Sequence, residues 1–140
     1  MLQRLQARDI NDQPHPGHYS HYCLGAGMMF ISGLLPATPA GEMLSAAPFA
    51  DQVLQVFASL DTCLRQENLT RSQLVMVRVY LADIALWDDF NALYAQWLGS
   101  WKPARAVVPV SGLHYGVLLE IEATAVQTRR TARFARGASP

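Results

Sequence analysis

Between Phe49 and Leu81 the apolar residues change period once, from helix to strand, and that change limits the folds open to the chain. Phe49, Val53, Val56, Phe57, Leu60, Cys63 and Leu64 recur at helical spacing, with Asp51, Gln52, Gln55, Ser59, Asp61 and Arg65 opposite them. Pro48 suits the first turn of this helix, and the pattern fades near Asn68. From Leu74 to Leu81 the period becomes two: Val75, Val77, Val79 and Leu81 on one face, Leu74, Met76, Arg78 and Tyr80 on the other. Asp83 can cap a second helix with the stripe Leu86, Phe90, Leu93, Tyr94 and Trp97, which Gly99, Ser100 and Pro103 end.

Strands are also predicted over Arg105 to Val108 and Val117 to Val126, and Pro109 should end the first or mark an edge. Upstream, His18 to Leu24 and Met28 to Gly33 form a hairpin around Gly25-Ala26-Gly27, and Leu34 to Ala46 reads as a loop. The order is strand, strand, helix, strand, helix, strand, strand. An α+β fold with both helices on one face of the sheet buries both stripes. The other face then stands uncovered while carrying Met76, Tyr80, Val107 and Leu118, which predicts self-association.

With 140 residues and 51% hydrophobic content, one domain spanning 1–140 is expected. Segment 1–16 reads as a flexible arm, and 128–140, with Arg129, Arg130, Arg133 and Arg136, as a frayed basic tail. Formal net charge is zero, so no global field draws the chain toward nucleic acid or anionic membranes; the one local excess is that tail, for which phosphate or RNA binding is the lesser reading. No apolar run suits a membrane span, and Arg4 and Arg8 interrupt any signal-peptide core, so a cytoplasmic protein is expected. Cys23 and Cys63 lack metal-ligand spacing and are expected as free thiols, Cys63 in the core.

Residues able to do chemistry are few. Leu119, Ile121, Ala123 and Ala125 belong to the helix-packed face, which leaves Glu120 and Glu122 on the other. A carboxylate there is a structural ion pair or a working group, and spacing leaves both open. Arg105 opens its strand with a fork of donors suited to a carboxylate, or is a strand-end cation with its head in water. His15, His18 and His21 would align only on a helix, which Pro14, Pro16 and Gly17 exclude. In an extended chain His18 and His21 point apart, so no metal site is expected. His114, in the loop beside Tyr115 and Gly116, could act as a base, but no Ser, Cys or Asp stands at a telling spacing. No phosphate loop or nucleophile elbow is present, and no cofactor is signalled.

Six segments, in order, resemble the reactive intermediate deaminase (Rid, YjgF-like) family. They are Tyr19-Ser20, Phe30-Ile31-Ser32-Gly33-Leu34-Leu35-Pro36, Val79-Tyr80-Leu81-Ala82-Asp83, Phe90-Asn91-Ala92-Leu93-Tyr94, Pro103-Ala104-Arg105 and Leu119-Glu120-Ile121-Glu122-Ala123. The resemblance implies a chorismate mutase-like mixed sheet with two helices on one face, and a homotrimer with ligand clefts between subunits. It implies that Arg105 holds a substrate carboxylate and that Glu120 positions or activates water. Tyr19, Ser32, Gly33, Asn91 and Val107 would complete the binding site. Leu34 stands where many active members have glutamine, and Val107 where many have cysteine, which leaves a backbone contact possible there but not a thiol.

The implied reaction is hydrolysis of reactive 2-imino acids, formed by pyridoxal-phosphate enzymes that dehydrate serine or threonine, to 2-keto acids and ammonia. It needs an anchor for the carboxylate and a water beside a base, and no cofactor. Two other functions use the same residues: a pathway-specific deaminase of an aminoacrylate- or aminomuconate-type substrate, and a non-catalytic module that binds a small carboxylate.

Overall fold

A computed structural model describes residues 4–127, leaving the expected basic tail outside the described residues. Six strands form one sheet in the order β1-β2-β3-β6-β4-β5, where β1 is Gln6–Arg8, β2 Tyr22–Gly25, β3 Met28–Leu34, β4 Leu74–Leu81, β5 Ala104–Pro109 and β6 Leu119–Val126. Helices α1 (Phe49–Gln66) and α2 (Trp87–Leu98) bury their stripes against one face. All neighbours are antiparallel except β4 and β5, which α2 joins as a parallel pair. The sheet is therefore mixed, with two helices on one face, as the sequence predicts. No helix among the described residues is long and apolar enough to cross a membrane.

Local chemistry sets the boundaries. Asn68, at φ 59°, ends α1 in a left-handed residue: its N–H donates to the Arg65 carbonyl, and that of Leu69 to the Leu64 carbonyl. Asp83 accepts the Ala85 N–H and starts a short 3-10 turn, Ile84–Leu86, that runs into α2. The turn between β2 and β3 has both central residues, Ala26 and Gly27, at positive φ, the geometry that matches a tight hairpin to strand twist. Phe57 of α1 stacks on Trp97 of α2 with centroids 4.3 Å apart, joining the helices above the sheet.

Four expectations are corrected. The N-terminal arm is partly a strand: β1 pairs with β2, Arg8 forms an ion pair with Glu67, and Ile10 is buried in the core. Gln6-Ala7-Arg8 lacks apolar alternation because this edge strand is fully exposed, so its backbone pairs carry it. Gln52 belongs to the core rather than the polar face of α1. It is fully buried, donates to the Ala47 carbonyl and accepts the Leu118 N–H. Leu74 is buried and Val75 exposed, the reverse of the alternation, because a register irregularity between Leu74 and Met76 switches faces. Val107 pairs with Val79 and packs partly against the helix-side core, so it is not on the uncovered face. That face carries Met76, Tyr80, Val108 and Phe30, the last two 42% and 49% exposed.

Candidate functional site

The two carboxylates of β6 fare differently. Glu122 accepts the Tyr80 hydroxyl in a short hydrogen bond and lies 3.9 Å from the Arg78 guanidinium. Glu120 makes no hydrogen bond or ion pair among the described residues, although it is half-buried. Burial pushes its carboxyl above the ordinary carboxylate range, the Glu122 charge adds to this, and His114 works against it. Of the two readings that spacing left open, the structural partner is Glu122 and the unengaged group is Glu120.

A bulge in β3 opposes this pair. Between Ile31, opposite Ala123, and Leu34, opposite Ile121, the partner strand offers one residue, Glu122, against Ser32 and Gly33. The extra residue brings bare backbone against the acid: a Cβ on Gly33 would lie 1.9 Å from Glu120 Oε2. Gly33, Glu120, Glu122, Tyr80, Gly112 and Leu113 line a shallow depression of about 310 Å³. Tyr80, Gly112 and Leu113 were invisible in sequence, since placing them here needs the cross-strand register of Tyr80 with Glu120 and the path of the loop after β5. The same bulge turns Leu34 into the core, 5% exposed and opposite Ile121, so it does not line this depression.

Ser32 donates its hydroxyl to the Ser20 carbonyl at 2.7 Å, tying the segment beside Tyr19 to β3. Tyr19 is half exposed and stacks on His15 at 4.1 Å. Its hydroxyl is raised above its ordinary range by burial first, then by Asp9, Tyr115 and Glu120, so it stands within the field of Glu120. The structure thus brings Ser32 and Gly33 together with Glu120, and places Tyr19 on the segment that Ser32 ties down.

Arg105 does not join them. It pairs with Val77, so its side chain shares the helix face. There it donates to Asn91 Oδ1 at 2.9 Å, and its guanidinium lies 4.9 Å from the Tyr94 ring centre and 5.5 Å from that of Trp87. No carboxylate among the described residues pairs with it. In one chain, Arg105, Asn91 and Val107 occupy one side of the sheet and Glu120 the other.

A second depression, about 400 Å³, lies between Asp61, Leu64 and Arg71. Of its three charged residues, Arg71 donates to both Asp61 oxygens at 2.9 and 2.8 Å, and Arg65 donates to the Thr62 hydroxyl. Arg105 and Glu120 differ from the ordinary surface charges in being partly buried without an ion-pair partner among the described residues.

The sequence and the fold both recur outside this chain. A family model described as Endoribonuclease L-PSP matches residues 11–127. The chain belongs to the YjgF/Rid family. Among Rid relatives, Protein HMF1 of Saccharomyces cerevisiae is 35% identical over 109 residues, 78% of this chain and 84% of that protein. The solved structure of a Rid family protein, YyfA of Yersinia pestis, has TM-score 0.82 and 28% identity, covering 88% of this chain and 99% of that one. That of E. coli TdcF with bound serine has TM-score 0.80 and 26% identity, covering 88% and 99%.

Proposed function

We propose that this Rid protein hydrolyses 2-imino acids, such as 2-iminobutanoate or 2-iminopropanoate, to 2-keto acids and ammonia, in clefts between the subunits of a cytoplasmic homotrimer. One observation carries the reading: a cation without a carboxylate and a carboxylate without a cation stand on opposite faces of one sheet. Arg105 lies on the edge strand β5, so a subunit whose uncovered face wraps around that edge sets its Glu120 against the Arg105 of its neighbour. Met76, Tyr80, Val108 and Phe30 supply apolar area for that packing.

Arg105, steadied by Asn91 and its aromatic neighbours, presents its remaining donors to the substrate carboxylate. Glu120, its carboxyl held against the Gly33 backbone, takes a proton from water as the oxygen adds to the imine carbon. Glu120 then returns that proton to the carbinolamine nitrogen, which leaves as ammonia while the hydroxyl loses its proton and the carbonyl of the keto acid forms. A raised carboxyl is a better base for this step than an ordinary one. The serine bound to TdcF is a small molecule bearing a carboxylate, which agrees with an arginine anchor here. Although the family description names an endoribonuclease, a net charge of zero offers no field for RNA.

Subunit complementation tests the reading. Arg105→Ala removes two charge-assisted bonds of about 1.5–3 kcal/mol each, so kcat/KM should fall roughly 10²- to 10⁴-fold, with the fold retained. Glu120→Gln should also lose turnover while still binding 2-ketobutyrate. Trimers refolded from a mixture of the two variants should regain about a quarter of the parent sites, because a cleft then takes both intact residues from different subunits. Activity no greater than the sum of the separate variants would defeat the shared cleft. A parent that binds 2-ketobutyrate through Arg105 without turnover would instead favour a carboxylate-binding module.

A further inference from the structure

Three side chains from the N-terminal segment meet where the sequence placed them apart. Asp9 follows β1, His15 lies in the irregular stretch that Pro14 and Pro16 create, and His21 immediately precedes β2. Because that stretch folds back instead of extending, His15 and His21 face one carboxylate, while His18 remains exposed outside the group. Asp9 Oδ1 lies 3.0 Å from His15 Nε2 and 3.3 Å from His21 Nδ1, and one ligand atom from each residue lies within 4.8 Å of the others. The two imidazoles meet nearly edge to face, at 82° with centroids 4.7 Å apart.

We propose that Asp9, His15 and His21 form a binding site for one divalent transition metal of borderline softness, zinc above all. Metal bonds of about 2.0–2.2 Å in a tetrahedron set ligand atoms roughly 3.4 Å apart, near two of the edges already present. Two imidazoles and one carboxylate suit zinc and its first-row neighbours, whereas magnesium and calcium require mainly oxygen donors. Three protein ligands leave one tetrahedral position for water.

Hydrogen bonding alone leaves the cluster incompletely satisfied. Asp9 Oδ1 also accepts the His21 backbone N–H, and His21 Nδ1 accepts the Ile10 N–H, both at 3.0 Å. The other nitrogen of His15, Nδ1, is buried without a partner. A metal between the three residues displaces the Ile10 amide from His21, a neutral bond and the weakest in the group. It also fixes the His15 ring on which Tyr19 stacks.

The test uses the full chain stripped with a strong chelator, then titrated with Co²⁺ and followed by visible ligand-field absorption. One Co²⁺ per chain should bind with the intense bands of low coordination, zinc should displace it, and magnesium should not. His15→Ala and Asp9→Asn, checked for folding by circular dichroism, should each weaken binding by more than the roughly 10- to 100-fold that losing an outer hydrogen-bond partner costs. His18→Ala should leave it unchanged. Zinc added to the unmutated chain should also shift the imidazole nitrogen resonances of His15 and His21, a readout independent of any variant. Failure to bind stoichiometrically, binding unchanged in both folded variants, or shifts confined to His18 and His114 would overturn the proposal.

Discussion

Replacing Gly33 with alanine adds one methyl group where the structure leaves no room for it. The new Cβ would stand 1.9 Å from Glu120 Oε2, whereas ordinary contact begins near 3.4 Å, so the oxygen must retreat by about 1.5 Å. The obstructing atom is the end of a flexible side chain, and Gly33 is not among the glycines with positive φ, so the backbone tolerates the change. Stability should therefore shift by less than about 1 kcal/mol. Catalysis is less forgiving, since a misplacement of about 1 Å can cost on the order of 10²-fold, or about 2.7 kcal/mol at 1.36 kcal/mol per tenfold. The assay couples 2-iminobutanoate, generated in place by a threonine dehydratase, to keto acid appearance, with urea denaturation run beside it. A drop near 10²-fold in kcat/KM at unchanged denaturation midpoint is expected. Parent kcat/KM in a folded Gly33→Ala protein would refute the reasoning, for the carboxylate would then work from a position 1.5 Å away.

Glu120→Gln should also change the response to pH. The folded state raises this carboxyl, so its contribution to stability is fully present below the ordinary carboxylate range and is lost as pH rises through its folded pKa. Urea midpoints of the variant should thus exceed the parent's at neutral pH and converge with them below about pH 4, with equal midpoints at every pH counting against the burial argument. The same direction places the acid limb of parent kcat/KM above the ordinary carboxylate range. Gln52→Leu should destabilise by about 1–3 kcal/mol for the orphaned Leu118 amide alone, and a neutral effect in denaturation would mean that water replaces the side chain. Ala26→Gly should stabilise by about 1 kcal/mol, because alanine at φ 53° bears a strain that glycine lacks, and an unchanged midpoint would deny that strain.

Where burial follows strict periodicity, the sequence was legible. The α1 stripe, the α2 stripe and the alternation of β6 all stand as predicted, since each element has one dry face and one wet face. Legibility failed where something other than side-chain burial sets the geometry. The irregularities at Leu74 and at Ser32-Gly33 each exchange faces through one extra residue, and no alternation announces them. Gln52 reads as polar surface because its buried hydrogen bonds, to the Ala47 carbonyl just before α1 and from the Leu118 N–H far along the chain, leave no trace in the helical period. At the site, Glu120 and Gly33 could be named from their motifs, but the separation of Arg105 from Glu120 follows from the pairing of Val77 with Arg105. The meeting of Asp9 with His15 and His21 depends on an irregular fold-back that no period encodes.

The final described strand, β6, is also a central one, hydrogen-bonded to β3 on one side and β4 on the other. A ribosome therefore delivers both halves of the sheet before the piece that joins them. Until Leu119–Val126 emerges, β3 and β4 each present an unpaired inner edge beside apolar residues meant for the core. Folding must wait for nearly the whole described chain, and a nascent chain stalled short of Leu119 would hold two half-sheets with sticky margins. Such intermediates are the ones that chaperones engage and that aggregate when synthesis outruns them.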